Sequence, residues 1–207
     1  MHTSARISLI VLTLLMAAGA AAPTLAAEAA GDEQIEAIEK LRQQVEKDPK
    51  NIELLIELGN LYYEGFMENE ALATYMAVVE LDSTHVGALT NLGSLYTDMG
   101  DFHGAEEVLA RAIELDPANV MAYTNMGTNH YARRQYNEAV DMYRKALEID
   151  PDSVEAHFNM AVAFADAQIF DEAVREWQKV IALDPDGPVA QICRDNIDMI
   201  QEFRGRQ

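Results

Sequence analysis

Few side chains in these 207 residues stand at spacings that chemistry requires. His103 and Glu106, three apart in a helical pattern, would offer two ligands to one metal ion. Zinc sites take three or four protein ligands, so a solvated histidine is the favoured reading and no metal is expected. Asp184 and Asp186 beside Gly187 have the opening of a calcium loop. The glycine is in the wrong place for an EF-hand and Pro188 intrudes, so the segment reads as a solvated turn. Cys193 is the single cysteine, falls on an apolar stripe and is expected to be buried and inert. HExxH, paired CxxC, a glycine-rich phosphate loop and GxSxG are all missing from the chain. With 15 Lys plus Arg against 35 Asp plus Glu, the net charge of −20 sets nucleic acid aside, because that affinity comes largely from cations neutralising phosphates. An enzyme is disfavoured and no cofactor is expected.

The elements that would position any site follow a repeat. Gly59, Gly93, Gly127 and Ala161 are 34 residues apart, as are Ala71, Ala105, Ala139 and Ala173. Tyr75, Leu109, Tyr143 and Trp177 keep the same step, and so do Ser83, Pro117, Pro151 and Pro185, with Pro49 one period earlier. A fixed period of this length determines the whole fold. Each unit reads as two amphipathic helices. In the third, Ala139, Val140, Tyr143, Ala146 and Leu147 recur at the spacing of one buried helical face. Proline disfavours helical geometry at the residue before it, so Asp-Pro at 116, 150 and 184 ends the second helix. Small residues at Gly93 or Ala105 let helices cross closely, and a large one at Tyr143 or Trp177 fills the space beside them.

The series Leu92, Gly93, Tyr96, Ala105, Leu109, Ala112, Pro117 resembles the motif of the tetratricopeptide repeat family, and the match runs over residues 52–185. Departures are Ala161 for the glycine of the fourth copy, Ser83 for the proline of the first, and His130 where the tyrosine of the third would stand. The resemblance implies an all-α, right-handed solenoid of four helix pairs, at 52–85, 86–119, 120–153 and 154–187. Its first helices would line a concave groove that receives a segment of another protein. Solenoid ends need caps. Ile35, Ile38, Leu41 and Val45 predict one on a helix from about Glu33 to Lys47, within 27–50 and after an acidic leader over 27–32. Val189, Ile192, Cys193, Ile197 and Ile200 predict the other within 188–207, for ten helices in all.

By the same resemblance, Glu57, Asn91, Asn125 and Asn159 face the groove, two residues before the small residue of each first helix. Amide side chains donate and accept, which suits pairing with an extended peptide backbone. They equally suit bonds between adjacent helices, and both readings stay open here. Asn60, Tyr63, Thr90, Ser94, Thr124, Thr128, Tyr131 and Phe158 are placed around them. An acidic face is expected at Glu53, Glu64 and Asp98, because no Lys or Arg stands between Lys50 and Arg111 while eleven Asp and Glu do. A solvated surface explains that asymmetry, and the sharper reading is a basic partner segment, or divalent cations bridging carboxylates, docked along the first two repeats.

Residues 1–26 have the order of a secretory signal peptide: a basic start at Arg6, an uncharged run over 7–18, then small residues with cleavage after Ala26. Export to the periplasm follows as the expectation. The alternative is an uncleaved anchor in the inner membrane, since 7–27 contains 21 uncharged residues and a spanning helix needs about 20. The expected function is a non-catalytic scaffold that binds a protein or peptide segment, as an envelope assembly or maturation factor. The rival is a membrane-tethered structural subunit of an envelope complex.

Overall fold

A computed structural model describes residues 25–205, and ten helices fill them: α1 Leu25–Lys47, α2 Ile52–Glu64, α3 Glu68–Leu81, α4 Val86–Asp98, α5 Phe102–Leu115, α6 Val120–Ala132, α7 Tyr136–Ile149, α8 Val154–Asp166, α9 Phe170–Leu183 and α10 Pro188–Gly205. The architecture is an all-α tetratricopeptide-type solenoid of helix pairs. The helix over 25–47 starts earlier than expected and takes in the stretch read as a leader. Its residues there are mainly Ala and Glu, strong helix formers that continue the turn backwards. Residues 1–24, and with them the apolar run and nearly all of the expected signal peptide, lie outside the described residues. Among the described residues, no helix is long and apolar enough to cross a membrane.

Local chemistry sets the boundaries. Asn51, His85, Asn119 and Ser153, one period apart, each accept a hydrogen bond from the backbone N–H three residues on, which caps α2, α4, α6 and α8. Each first helix ends in a left-handed residue, Phe66, Gly100, Arg134 or Gln168. The next N–H reaches back five residues to a carbonyl, as in Met67 to Tyr62 and Ile169 to Phe164, both at 2.8 Å. The second helix of every copy stops at Asp82, Asp116, Asp150 or Asp184, which leave helical geometry, Asp82 and Asp150 for the extended region.

Among the described residues, 25–117 and 118–205 form two compact units. In the first, Ile38 and Leu41 of α1 pack on Leu58, and Gln34 Nε2 donates to the Leu61 carbonyl at 3.1 Å, so α1 covers α2. Leu55, Val78 and Ala88 make a second cluster, and Ala71, Tyr75, Leu92 and Leu95 a third. In the second unit one cluster runs from Ala139 through Trp177 to Cys193, Ile197 and Ile200, so α10 closes it. His157 fastens this unit: its Nδ1 lies 2.7 Å from Glu176 Oε2 and its Nε2 2.9 Å from the Pro151 carbonyl. The small residues of the first helices have a measurable cause. A Cβ on Gly59 or Gly127 would stand 2.5 Å from a ring carbon of Tyr75 or Tyr143, and one on Gly93 would stand 2.4 Å from Leu109 Cγ.

Candidate functional site

The first helices of each unit present side chains at i, i+4, i+7 and i+11, one stripe along the helix. On α2 the stripe is Glu53, Glu57, Asn60, Glu64, and the three glutamates are exposed. On α4 it holds Asn91, Ser94 and Asp98. The two stripes are bonded to each other. Asn60 Oδ1 accepts from Asn91 Nδ2 at 2.9 Å and from the Tyr75 hydroxyl at 2.8 Å. Tyr63 donates its hydroxyl to Asp98 Oδ2 at 2.5 Å and lies 3.2 Å from Ser94 Oγ. Burial, with the Asp98 bond second, pushes the Tyr63 phenol up to about 12, so it stays a donor at neutral pH. Burial likewise pushes Tyr75 up to about 12.

In the second unit, α6 and α8 repeat part of this design. Tyr131 donates to Asp166 Oδ2 at 2.6 Å, and burial followed by that bond raises its phenol far above the ordinary value. Thr128 Oγ1 bonds the Thr124 carbonyl at 3.1 Å and lies 3.3 Å from the Tyr143 hydroxyl. Tyr131 and Phe158 are half-buried against the core cluster. Asn125 and Asn159 are half-buried, and no side-chain hydrogen bond joins Asn159 to another described residue.

Of the amides expected on the groove, Asn91 is thus engaged with a neighbouring helix. Thr90 and Thr124 do not line a surface at all: they are 2% and 1% exposed, with hydroxyls turned onto the Val86 and Val120 carbonyls of their own helices. A first helix inside a solenoid is covered on two sides, so a short polar residue there can face inward and bond the preceding turn. Asp166 and Asn60 carry the network, yet Asp166 was not singled out from the sequence. Its signal was present as the Asp98 position two repeats on.

The remaining chemical candidates resolve simply. His103 is 85% exposed and its Nε2 lies 3.7 Å from Glu107 rather than Glu106. Among the described residues no three His, Cys, Asp or Glu gather as a metal site. Asp184 caps α9, and the Gly187 N–H bonds its carbonyl. Cys193 is buried, and that burial pushes its thiol up to about 12.

A TPR repeat model matches residues 127–168, and tetratricopeptide repeat models match 86–119 and 155–187. The chain belongs to the tetratricopeptide repeat family. No curated sequence matches this tetratricopeptide repeat protein. Among solved structures, the crystal structure of MamA is 25% identical, with 80% of this chain and 97% of that one aligned at a TM-score of 0.62. The protein TTC0263 of Thermus thermophilus, a thermophilic tetratricopeptide repeat protein, aligns at 0.73 with 17% identity over 79% of this chain and 90% of its own. The tetratricopeptide repeat domain of Arabidopsis OM64 aligns at 0.52 with 26% identity over 55% and 94%. Tetratricopeptide repeat proteins are non-catalytic interaction scaffolds that bind other proteins or peptides, and this chain is one of them.

Proposed function

We propose that this protein is an exported scaffold of the bacterial envelope that holds a basic, extended or helical segment of a partner protein against the first helices of its repeats, as an assembly or maturation factor. The observation that carries the reading is the stripe Glu53, Glu57 and Glu64, exposed along α2 in a stretch with no Lys or Arg from 51 to 110. Asn60, Tyr63, Asn91, Ser94 and Asp98 stand beside it as a bonded, preorganised frame, which lowers the ordering cost of binding. In the second unit Asn125, Thr128, Tyr131, Phe158 and Asn159 form the equivalent contact face, with the Asn159 amide available to a peptide backbone. Such steering weakens with salt, as the screening length falls from about 10 Å at 0.1 M to about 3 Å at 1 M. With a partner captured from envelope extracts and sequenced, its association rate should fall steeply with salt, and again in a Glu53→Gln, Glu57→Gln, Glu64→Gln variant. A rate indifferent to both would leave the acidic stripe as a solubility device.

The second reading, a subunit tethered to the inner membrane, is favoured by the 21 uncharged residues over 7–27. Mass spectrometry of the protein from cells separates the two. A chain starting near Ala27, which keeps nearly all of α1, supports the exported factor, and one starting at Met1 supports the tether.

A further inference from the structure

Both ring nitrogens of the buried His157 on α8 face acceptors: Glu176 Oε2 of α9 lies 2.7 Å from Nδ1, and the Pro151 carbonyl of the α7–α8 turn lies 2.9 Å from Nε2. A carboxylate and a carbonyl only accept, so both contacts are hydrogen bonds only when both nitrogens carry protons, as in the imidazolium. A neutral ring has one bare nitrogen. Placed at Nδ1 it turns a lone pair on a carboxylate, and placed at Nε2 it turns one on a carbonyl, so either way a bond is lost. Lys179 Nζ donates to both Glu176 oxygens, at 3.0 and 3.1 Å, so that carboxylate lies between an ammonium and the ring.

The fold does not require this pair. Positions 55, 89, 123 and 157 hold Leu, Leu, Tyr and His, and positions 74, 108, 142 and 176 hold Thr, Val, Met and Glu. Leu55 and Leu89 belong to the buried core. Three copies thus carry uncharged side chains at both positions, and copy four alone has a titratable pair, with side chains 6% and 12% exposed. A buried ion pair is often no more stable than apolar residues of similar volume, so packing gives no reason for the exchange. An open cleft beside the pair is lined by Arg144 and Glu148 of α7 and by Lys179 of α9, with His157 and Glu176 at its wall. Protons can therefore exchange with solvent there without unfolding of the unit.

We propose that His157 is a proton-operated latch on copy four: the protonated ring fastens α8 both to α9 and to the end of copy three, and loss of one proton releases one of the two bonds. The unfolded chain gives the ring neither partner. The stability the latch contributes is therefore fully present below the ordinary histidine value of about 6.5 and is lost as pH rises above it. Phe158, Asn159 and Asp166 lie on the same helix, so loosening α8 reaches the contact face of the second unit. The latch does not depend on the acidic stripe of α2 or on what that stripe binds.

Long-range ¹H–¹⁵N spectra of the full-length protein read the ring directly. At pH 6 the His157 signals, assigned by their loss in His157→Gln, should show two protonated nitrogens. His157→Leu, Glu176→Val, which gives copy four the side chains of copy two, should fold and should lose the pH response. Between pH 5.5 and pH 8 the unfolding equilibrium constant of the wild type should rise about tenfold more than that of the double variant, as urea melts would record. Should the double variant fail to fold, His157→Gln, which has no proton to titrate, takes its place in the comparison. A ring with one bare nitrogen at pH 6, or wild type and variant changing in parallel with pH, would each overturn the proposal.

Discussion

Tyr131 reaches Asp166 thirty-five residues on with a bond of 2.6 Å, and Tyr63 reaches Asp98 over the same separation at 2.5 Å. The two bonds join neighbouring copies, yet they differ in surroundings. Asp98 is exposed, whereas the other oxygen of Asp166 is buried without a partner. Removing a donor from a buried carboxylate costs more than removing one from a solvated carboxylate. Tyr131→Phe should therefore destabilise by about 2 kcal/mol and Tyr63→Phe by under about 1 kcal/mol. Urea melts followed by circular dichroism measure both, and equal losses would show that water reaches Asp166.

The crossing of the first and second helices of copy three leaves no room for growth on either side. Gly127→Ala sets a Cβ 2.5 Å from the Tyr143 ring, and Ala139, with no exposed surface, faces the same core. Gly127→Ala should cost about 1–3 kcal/mol and Ala139→Trp more. An unchanged melting temperature for Ala139→Trp would place that residue away from a helix crossing.

Burial holds the Cys193 thiol protonated in the folded protein, up to about 12 against an ordinary value of 9.0. The folded state thus binds this proton more tightly than the unfolded one. The stability it contributes is fully present below about pH 9 and is lost as pH rises toward about 12. Tyr63 and Tyr75, also pushed up to about 12 by burial, act in the same direction from pH 10.0 upward. Denaturant midpoints at pH 8 and pH 10.5 should fall with pH, and less so in Cys193→Ala. At pH 8 a thiol reagent should label Cys193 only after denaturant is added; immediate labelling would show that α10 opens readily.

No Lys or Arg occurs in α2, α4, α6 or α8, and Arg133 stands just past the end of α6. A partner's terminal carboxylate would find no cation along these helices. Amidating the C-terminus of a bound peptide should leave its affinity unchanged, as isothermal titration would record, and a large loss would reveal a cationic seat elsewhere.

What was legible in the sequence was local and periodic. The small residues at 59, 93, 127 and 161 and the Asp-Pro stops each act within a few residues or at one fixed step, so the helix pairs could be drawn from spacing alone. The polar contacts were less legible because residue type does not reveal direction. Thr90 and Thr124 look like surface residues, yet each turns inward to its own helix. Asn91 looks like a peptide-binding amide and is held by Asn60. Asp166 stands two repeats on from Asp98, but its repeat mixes basic with acidic residues and gives no charge asymmetry to mark it, and its bond to Tyr131 shows only in the structure.

The tyrosine–aspartate bond joins copies one and two and again copies three and four, whereas positions 97 and 132 hold Thr and Ala in place of that pair. A chain made of near-identical modules risks docking one against the wrong neighbour as it folds. Were copy four to settle on copy two, Asp166 would meet the short hydroxyl of Thr97, already turned to the Gly93 carbonyl, instead of Tyr131. A carboxylate left buried without its donor is costly. A pattern of sixty-eight residues laid over one of thirty-four would thus penalise docking a module on the wrong neighbour.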